Sequence, residues 1–138
     1  MTPTEMSLIH HAAFVKERGW SLAELTSLLA QPYIAAFTVM GGFALTRTVA
    51  GESELLTLAV SPAYQRRGIA RDLMAQWINA AQTSADTAFL EVSADNYAAI
   101  NLYEKHGFAN CGLRKAYYSR KDSPSVDALI MNRPLTQG

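Results

Sequence analysis

Only one cysteine, Cys111, stands in the 138 residues. A disulfide within the chain is excluded, which suits a reducing, cytoplasmic setting. Charge is sparse: twelve basic residues balance twelve acidic ones, 17% of the chain in all, with a formal net charge of zero. Nonspecific nucleic-acid binding, which needs a large basic excess, is not expected. No apolar run approaches the roughly 18 residues of a membrane span. The opening MTPTEMSLIHHAAF lacks the charged head and long apolar core of a secretory signal. The phosphate-loop pattern GxxxxGK[ST] and the dinucleotide pattern GxGxxG are absent. His10, His11 and His106 show no ligand spacing and a single cysteine adds none, so no metal is expected.

What is present is apolar: 49% of the residues are hydrophobic. That is enough for a real core in a single domain spanning 1–138. Residues 3–16 read as a helix with Pro3 in its first turn and Leu8, Ala12 and Val15 on one face. A second helix opens at Trp20-Ser21, where Ser21 and Glu24 fit a capping box. Leu22, Leu25, Leu28 and Leu29 form its stripe, and Pro32 ends it. Three strands follow, Tyr33–Met40, Gly42–Val49 and Glu54–Val60, joined by links short enough to make them antiparallel. Gln65 to about Gln82 is the strongest helix, with Ala70, Leu73, Met74, Trp77, Ile78 and Ala81 at helical spacing. A strand at Thr87–Val92, a helix at Asn96–His106 stopped by Gly107, and a hairpin of Phe108–Arg114 with Val126–Met131 complete the order. Cys111 reads as a packed strand residue and Trp77 as core. Strand–helix–strand–helix in the middle implies a parallel pair with a right-handed crossover. The fold class is α/β, a mixed sheet with antiparallel flanks.

Against that sparse charge, SPAYQRRGIARDLM places Arg66, Arg67 and Arg71 around Gly68, where a strand gives way to a helix. A helix N-terminus offers unpaired N–H groups and partial positive charge, so it receives anions. Gly68 allows close backbone approach, and the arginines add charge-assisted bonds. The ligand this predicts is a pyrophosphate or similar anion. Taken alone, the stretch reads equally as a solvated turn with surface arginines.

The stretch has company. LLTLAVSPAYQRRGIARDLM, FLEVSADNYAAINLYEKHGF, RKAYYS and DALIM occur in this order. The second contains N-x-x-A-x-x-x-Y-x-x-x-G-F. Together they resemble the GNAT family of acetyl-CoA-dependent N-acetyltransferases, from about Glu54 to Leu135. Within it they resemble the branch that acetylates the N-terminal alanine of a small-subunit ribosomal protein. The resemblance implies a GNAT-like sheet with helices on both faces and a central parallel pair that splays apart. It implies acetyl-CoA as cosubstrate, with its pyrophosphate cradled by Arg66, Arg67, Gly68, Ile69, Ala70 and Arg71. Leu58, Ala59 and Val60 would offer backbone groups to the pantetheine arm, and Asn96 would contact the cofactor. Glu91 would be the proton acceptor and Tyr103 the proton donor. Tyr117 and Tyr118 would line the acceptor groove, or equally pack on a sheet edge. The chain departs from the family in two places. A first strand before the first helix is short or absent, leaving one sheet edge bare or covered by a partner. Ser119-Arg120-Lys121 replaces a proline in the loop that borders the acceptor.

The chemistry is workable. An α-amine has a pKa near 8, against about 10.4 for lysine, so a carboxylate acting through water removes its proton at modest cost. Tyrosine, near 10, can protonate a leaving thiolate near 8.5. A backbone N–H of a bulged strand near Leu58 to Val60 can polarise the thioester oxygen. Attack would be direct, with no role for Cys111. Without the motif, Glu91 reads as a surface or salt-bridged glutamate, and Tyr103 as packing on a face shared with Ala99 and Leu102. The expected acceptor is a peptide or protein N-terminus, with a ribosomal protein the foremost candidate. A lysine side chain, a small-molecule amine, or a non-catalytic acyl-CoA-binding module are the alternatives.

Overall fold

Thr2 and Ser21 start the first two helices in the same way. A computed structural model describes residues 1–14, 20–118 and 125–135, the side chains of 116–118 excepted. Helix α1 is Pro3–Ala13 and α2 is Leu22–Leu29. Each opens on a capping box: the Thr2 and Ser21 hydroxyls accept from the backbone N–H of Glu5 and Glu24, both at 3.1 Å. Each glutamate accepts in return from the N–H of its cap residue. Two otherwise orphaned donors are satisfied at each end.

The inward face of α1 differs from the one its apolar spacing predicts. Met6 and His10 are buried, while Leu8 is 68% exposed and Ala12 faces solvent. A histidine occupies the inward position, so a count of apolar residues selects the wrong stripe. Val15, assigned to that stripe, lies outside the described residues. In α2, Leu25 is fully buried, whereas Leu22 is 49% exposed.

The sheet has six strands in the order β1-β2-β3-β4-β6-β5. They are β1 Ile34–Val39, β2 Gly42–Val49, β3 Glu52–Val60, β4 Thr87–Ser93, β5 Ala109–Tyr118 and β6 Val126–Pro134. The first three form the expected antiparallel meander. Strands β3 and β4 are parallel, and β4–β6 and β6–β5 return to antiparallel pairing. No described strand precedes α1, so β1 is an edge strand.

Helix α3 is Ile69–Ala81 and α4 is Tyr97–Lys105. Leu73, Met74, Trp77, Ile78 and Ala81 are buried as their spacing predicts. Each of the larger ones contributes about 1.5–3 kcal/mol by leaving water. Trp77 stacks on Phe108 at 5.6 Å and donates its indole N–H to Ser53 Oγ at 2.8 Å, which ties α3 to β3. Gly107 takes φ 89° after α4, the left-handed stop its sequence position suggests.

Two apolar clusters separate the faces of the sheet. One joins α3 and α4 to Ala44, Leu55, Ala88, Leu90 and Val92. The other joins α1 and α2 to Phe43, Leu45 and Ala59. Helices therefore cover both faces.

Two further sequence expectations are corrected. Residues 65–68 are not helical: a short 3-10 turn at Pro62–Tyr64 leads into an open loop, and α3 begins only after Gly68. Arg66 at φ 65° and Gly68 at φ 76° both leave the helical region. Cys111 is exposed rather than packed. Asn110 pairs Met131 and Gly112 pairs Ile130, so Cys111 is the extra residue of a bulge on an edge strand.

Candidate active site

The pairing of β3 with β4 stops at Leu55 opposite Leu90. Strand β3 then runs on to Val60 and β4 to Ser93, so their ends diverge. A second irregularity lies beside this split. Leu45 pairs Thr57 and Thr46 pairs Leu55, which leaves Leu56 as an added residue in β3. A bulge of this kind reverses the alternation of side chains. Leu55 and Leu58 pack toward α3, while Leu56 and Ala59 pack toward α1 and α2. The bulge falls a little earlier than residues 58–60, where the sequence places it.

A cavity of about 510 Å³ occupies the split. Leu55 to Leu58 form one wall and Glu91, Val92, Ser93, Asn96 and Tyr103 another. His10, Phe14 and Trp20 close the α1 side. Arg47, Glu54 and Arg114 complete the lining.

Glu91 and Tyr103 arrive at this cavity from opposite faces. In β4, Ala88, Leu90 and Val92 belong to the α3/α4 cluster, so Glu91 alternates to the α1/α2 side. Its carboxylate is 15% exposed, and Oε1 lies 3.0 Å from Nη2 of Arg114 on β5. Tyr103 packs within the α3/α4 cluster, its ring at an edge-to-face angle with that of Phe108. It is 8% exposed, and burial pushes its phenol up to about 12. Among the described residues its hydroxyl makes no hydrogen bond. The two plainer readings also hold: Glu91 is ion-paired and Tyr103 is packed. Neither conflicts with facing a cavity.

Asn96 caps α4, its Oδ1 accepting from the Ala99 N–H at 3.2 Å. Its amide NH₂ is a donor group on the cavity wall. Helices α1, α2 and α4 all start with a side-chain cap, but α3 starts at Gly68 without one. Its first N–H groups, at Ile69, Ala70 and Arg71, have no acceptor within the helix. Arg66 and Arg67 are exposed beside them, and the Arg67 guanidinium sits over the Tyr64 ring at 5.1 Å. Any Cβ at Gly68 would lie 3.0 Å from Arg71 Nη2. The loop thus gathers unpaired N–H groups and three guanidinium groups at the end of β3, where the split opens. That donor set fits a pyrophosphate group.

Of the residues singled out from sequence, Leu58, Glu91, Asn96 and Tyr103 line this cavity together. Val60 and residues 66–71 lie beyond it along β3 and the loop. The Ala59 side chain is turned away into the α1/α2 cluster. Tyr117 and Tyr118 end β5, with side chains outside the described set. The loop at Ser119-Arg120-Lys121 is outside it as well.

The structure adds residues that no motif marked. His10 lines the cavity while only 3% exposed, bonded to Thr57 at 3.1 Å, stacked on Trp20 and tilted against Phe14. Arg47 and Glu54 form an ion pair of 2.7 Å across β2 and β3. Their registered positions on neighbouring strands are the only signal, and it needs the pairing to be known.

Comparison with known proteins names the class. Residues 11–108 match the acetyltransferase (GNAT) family, and the chain belongs to it. Among particular proteins, it is 41% identical over 98 residues to the [ribosomal protein bS18]-alanine N-acetyltransferase of Escherichia coli K12. That match covers 70% of this chain and 66%, just under two thirds, of the relative. It is 39% identical over 129 residues to the N-alpha-acetyltransferase RimI of Mycobacterium tuberculosis, covering 87% and 78% of the two chains. The crystal structure of the E. coli ribosomal-protein-S18-alanine N-acetyltransferase superposes with a TM-score of 0.88 at 33% identity. That superposition covers 99% of this chain and 89% of the other.

Proposed function

We propose that the protein transfers the acetyl group of acetyl-CoA to the α-amine of a protein N-terminus, alanine first among residues. The observation that carries this reading is the meeting of Glu91 and Tyr103 in one cavity from opposite faces of the sheet. The relatives named for alanine and N-α acetylation support the acceptor.

Residues 66–71 would hold the pyrophosphate through N–H groups and guanidinium groups. The pantetheine arm would enter the split along residues 58–60, on the side where β3 has no partner strand. Bound there, acetyl-CoA supplies a thioester carbonyl as the electrophile. Glu91 takes a proton from the acceptor amine, directly or through water, on the α1/α2 side. Tyr103 holds its proton on the other side, where the thiolate departs. Its raised pKa keeps the phenol protonated at neutral pH. No cysteine lines the cavity, which favours direct attack over an acyl-enzyme. Holding amine and thioester side by side in the split would supply much of the acceleration.

The test is acetyl-CoA with two peptides, one carrying only a free N-terminal alanine amine and the other only a lysine amine, read by mass spectrometry. Product on the alanine peptide is expected. Product on the lysine peptide alone would keep the fold and cosubstrate but remove the α-amine reading.

A further inference from the structure

The buried pair His10 and Thr57 has no part in the proton transfers above, yet both line the cavity. His10 Nδ1 accepts the backbone N–H of Trp20 at 3.2 Å. The ring proton therefore sits on Nε2, which faces Thr57 Oγ1 at 3.1 Å. Nε2 donates, and the Thr57 oxygen accepts. The Thr57 hydroxyl must then direct its own proton elsewhere. Thr57 is 9% exposed, and among the described residues no acceptor takes that proton. A buried hydroxyl in this state is unfinished: its donor capacity is satisfied only by something in the cavity.

The bulge decides which ligand it meets. It turns Thr57 to the face where Glu91 lies, away from the face of α3, whose N-terminus would receive the anion. This is the acceptor's side of the split. An N-terminal amine comes with a carbonyl oxygen on the same residue, about 3 Å from it by backbone dimensions. A lysine amine stands at the end of a four-carbon stem and brings no such oxygen with it.

We infer that Thr57 donates a hydrogen bond to the first carbonyl oxygen of the acceptor peptide, and that His10 is the positioning residue that aims the hydroxyl. The pair thereby selects α-amines over side-chain amines. This rests on the N-terminal acetyltransferase reading given above.

Two probes separate the questions. One is CoA joined through an acetyl bridge to the N-terminus of an alanine-initiated tetrapeptide. The other is CoA joined in the same way to n-propylamine, which has no carbonyl beyond the bridge. Binding is measured by calorimetry on the full chain. Wild type should bind the peptide conjugate at least tenfold more tightly. Thr57→Val should lose most of that preference, about tenfold, while binding the propylamine conjugate as wild type does. Thr57→Ser should retain the preference, and His10→Phe should lose part of it without adding to the effect of Thr57→Val. Because both probes bind the same variant, a general loss of stability cancels from the comparison. Thr57→Ala serves in the same way if the valine variant does not fold. A Thr57→Val preference equal to wild type overturns the inference and leaves the proposed function standing. Wild type binding both conjugates alike would remove the peptide reading and the inference with it.

Discussion

Glu91 on β4 and Tyr103 on α4 lie on opposite sides of the sheet and still line one cavity. The split beyond Leu55 and Leu90 makes this possible, since an unbroken ladder would separate the two faces. A carboxylate on one side and a phenol on the other suit the proposed reaction, in which an incoming amine loses a proton and a departing thiolate gains one.

Glu91→Gln keeps the shape of the side chain and removes its basicity. Turnover should fall about 100-fold or more, the usual scale for a general base. Acetyl-CoA affinity should stay within about twofold, since Glu91 lies on the side proposed for the acceptor. Steady-state rates together with calorimetry check both halves.

Tyr103→Phe should lower kcat about 100-fold at neutral pH. It also has a stability signature. The phenol is pushed up to about 12 in the folded chain, from an ordinary value of 10.0. Between those values the unfolded chain has lost the proton that the native chain keeps, so stability falls as pH rises through the window. The full loss is about 3 kcal/mol. The phenylalanine variant carries no such proton. Urea unfolding between pH 10 and 12 should therefore show a flatter decline for it than for wild type.

Gly68→Ala should weaken acetyl-CoA binding about tenfold. The residue sits at φ 76°, and the added Cβ would stand 3.0 Å from Arg71 Nη2. The left-handed conformation alone costs about 1–2 kcal/mol for an alanine. A rise in KM for acetyl-CoA, with KM for the peptide unchanged, is the expected result.

Trp77→Phe removes the indole donor from buried Ser53. That oxygen keeps a contact to the Thr48 hydroxyl at 2.8 Å, so the cost is moderate, about 1–3 kcal/mol. A lower urea midpoint with unchanged slope would confirm it.

Local rules explain what was readable before any fold was known. The buried stripe of α3 follows from spacing because all five residues are apolar and 3.6 residues make a turn. The Ser21–Glu24 box and the Gly107 stop likewise involve neighbours in sequence. The errors have a common cause. Apolar spacing selects the wrong α1 stripe because His10 is polar, and its buried partner is Thr57, 47 residues away. Residues 65–67 contain good helix formers, but the left-handed backbone at Arg66 and Gly68 delays the helix. The exposure of Cys111 follows from a bulge that only the register with β6 reveals.

The sequence by itself determined the order of elements, the parallel pair at the centre, the arginine loop at a helix start, and the family. Each rests on periodicity, capping chemistry or a contiguous motif, which act over a few residues. Only the tertiary structure decided that β3 and β4 part after Leu55 and Leu90, that the bulge at Leu56 turns Thr57 toward His10, and that Arg114 meets Glu91. These depend on strand register and on the faces that distant helices cover. Hydrogen-bonded pairing and burial across the whole sheet set them, and no short stretch of chain encodes them alone.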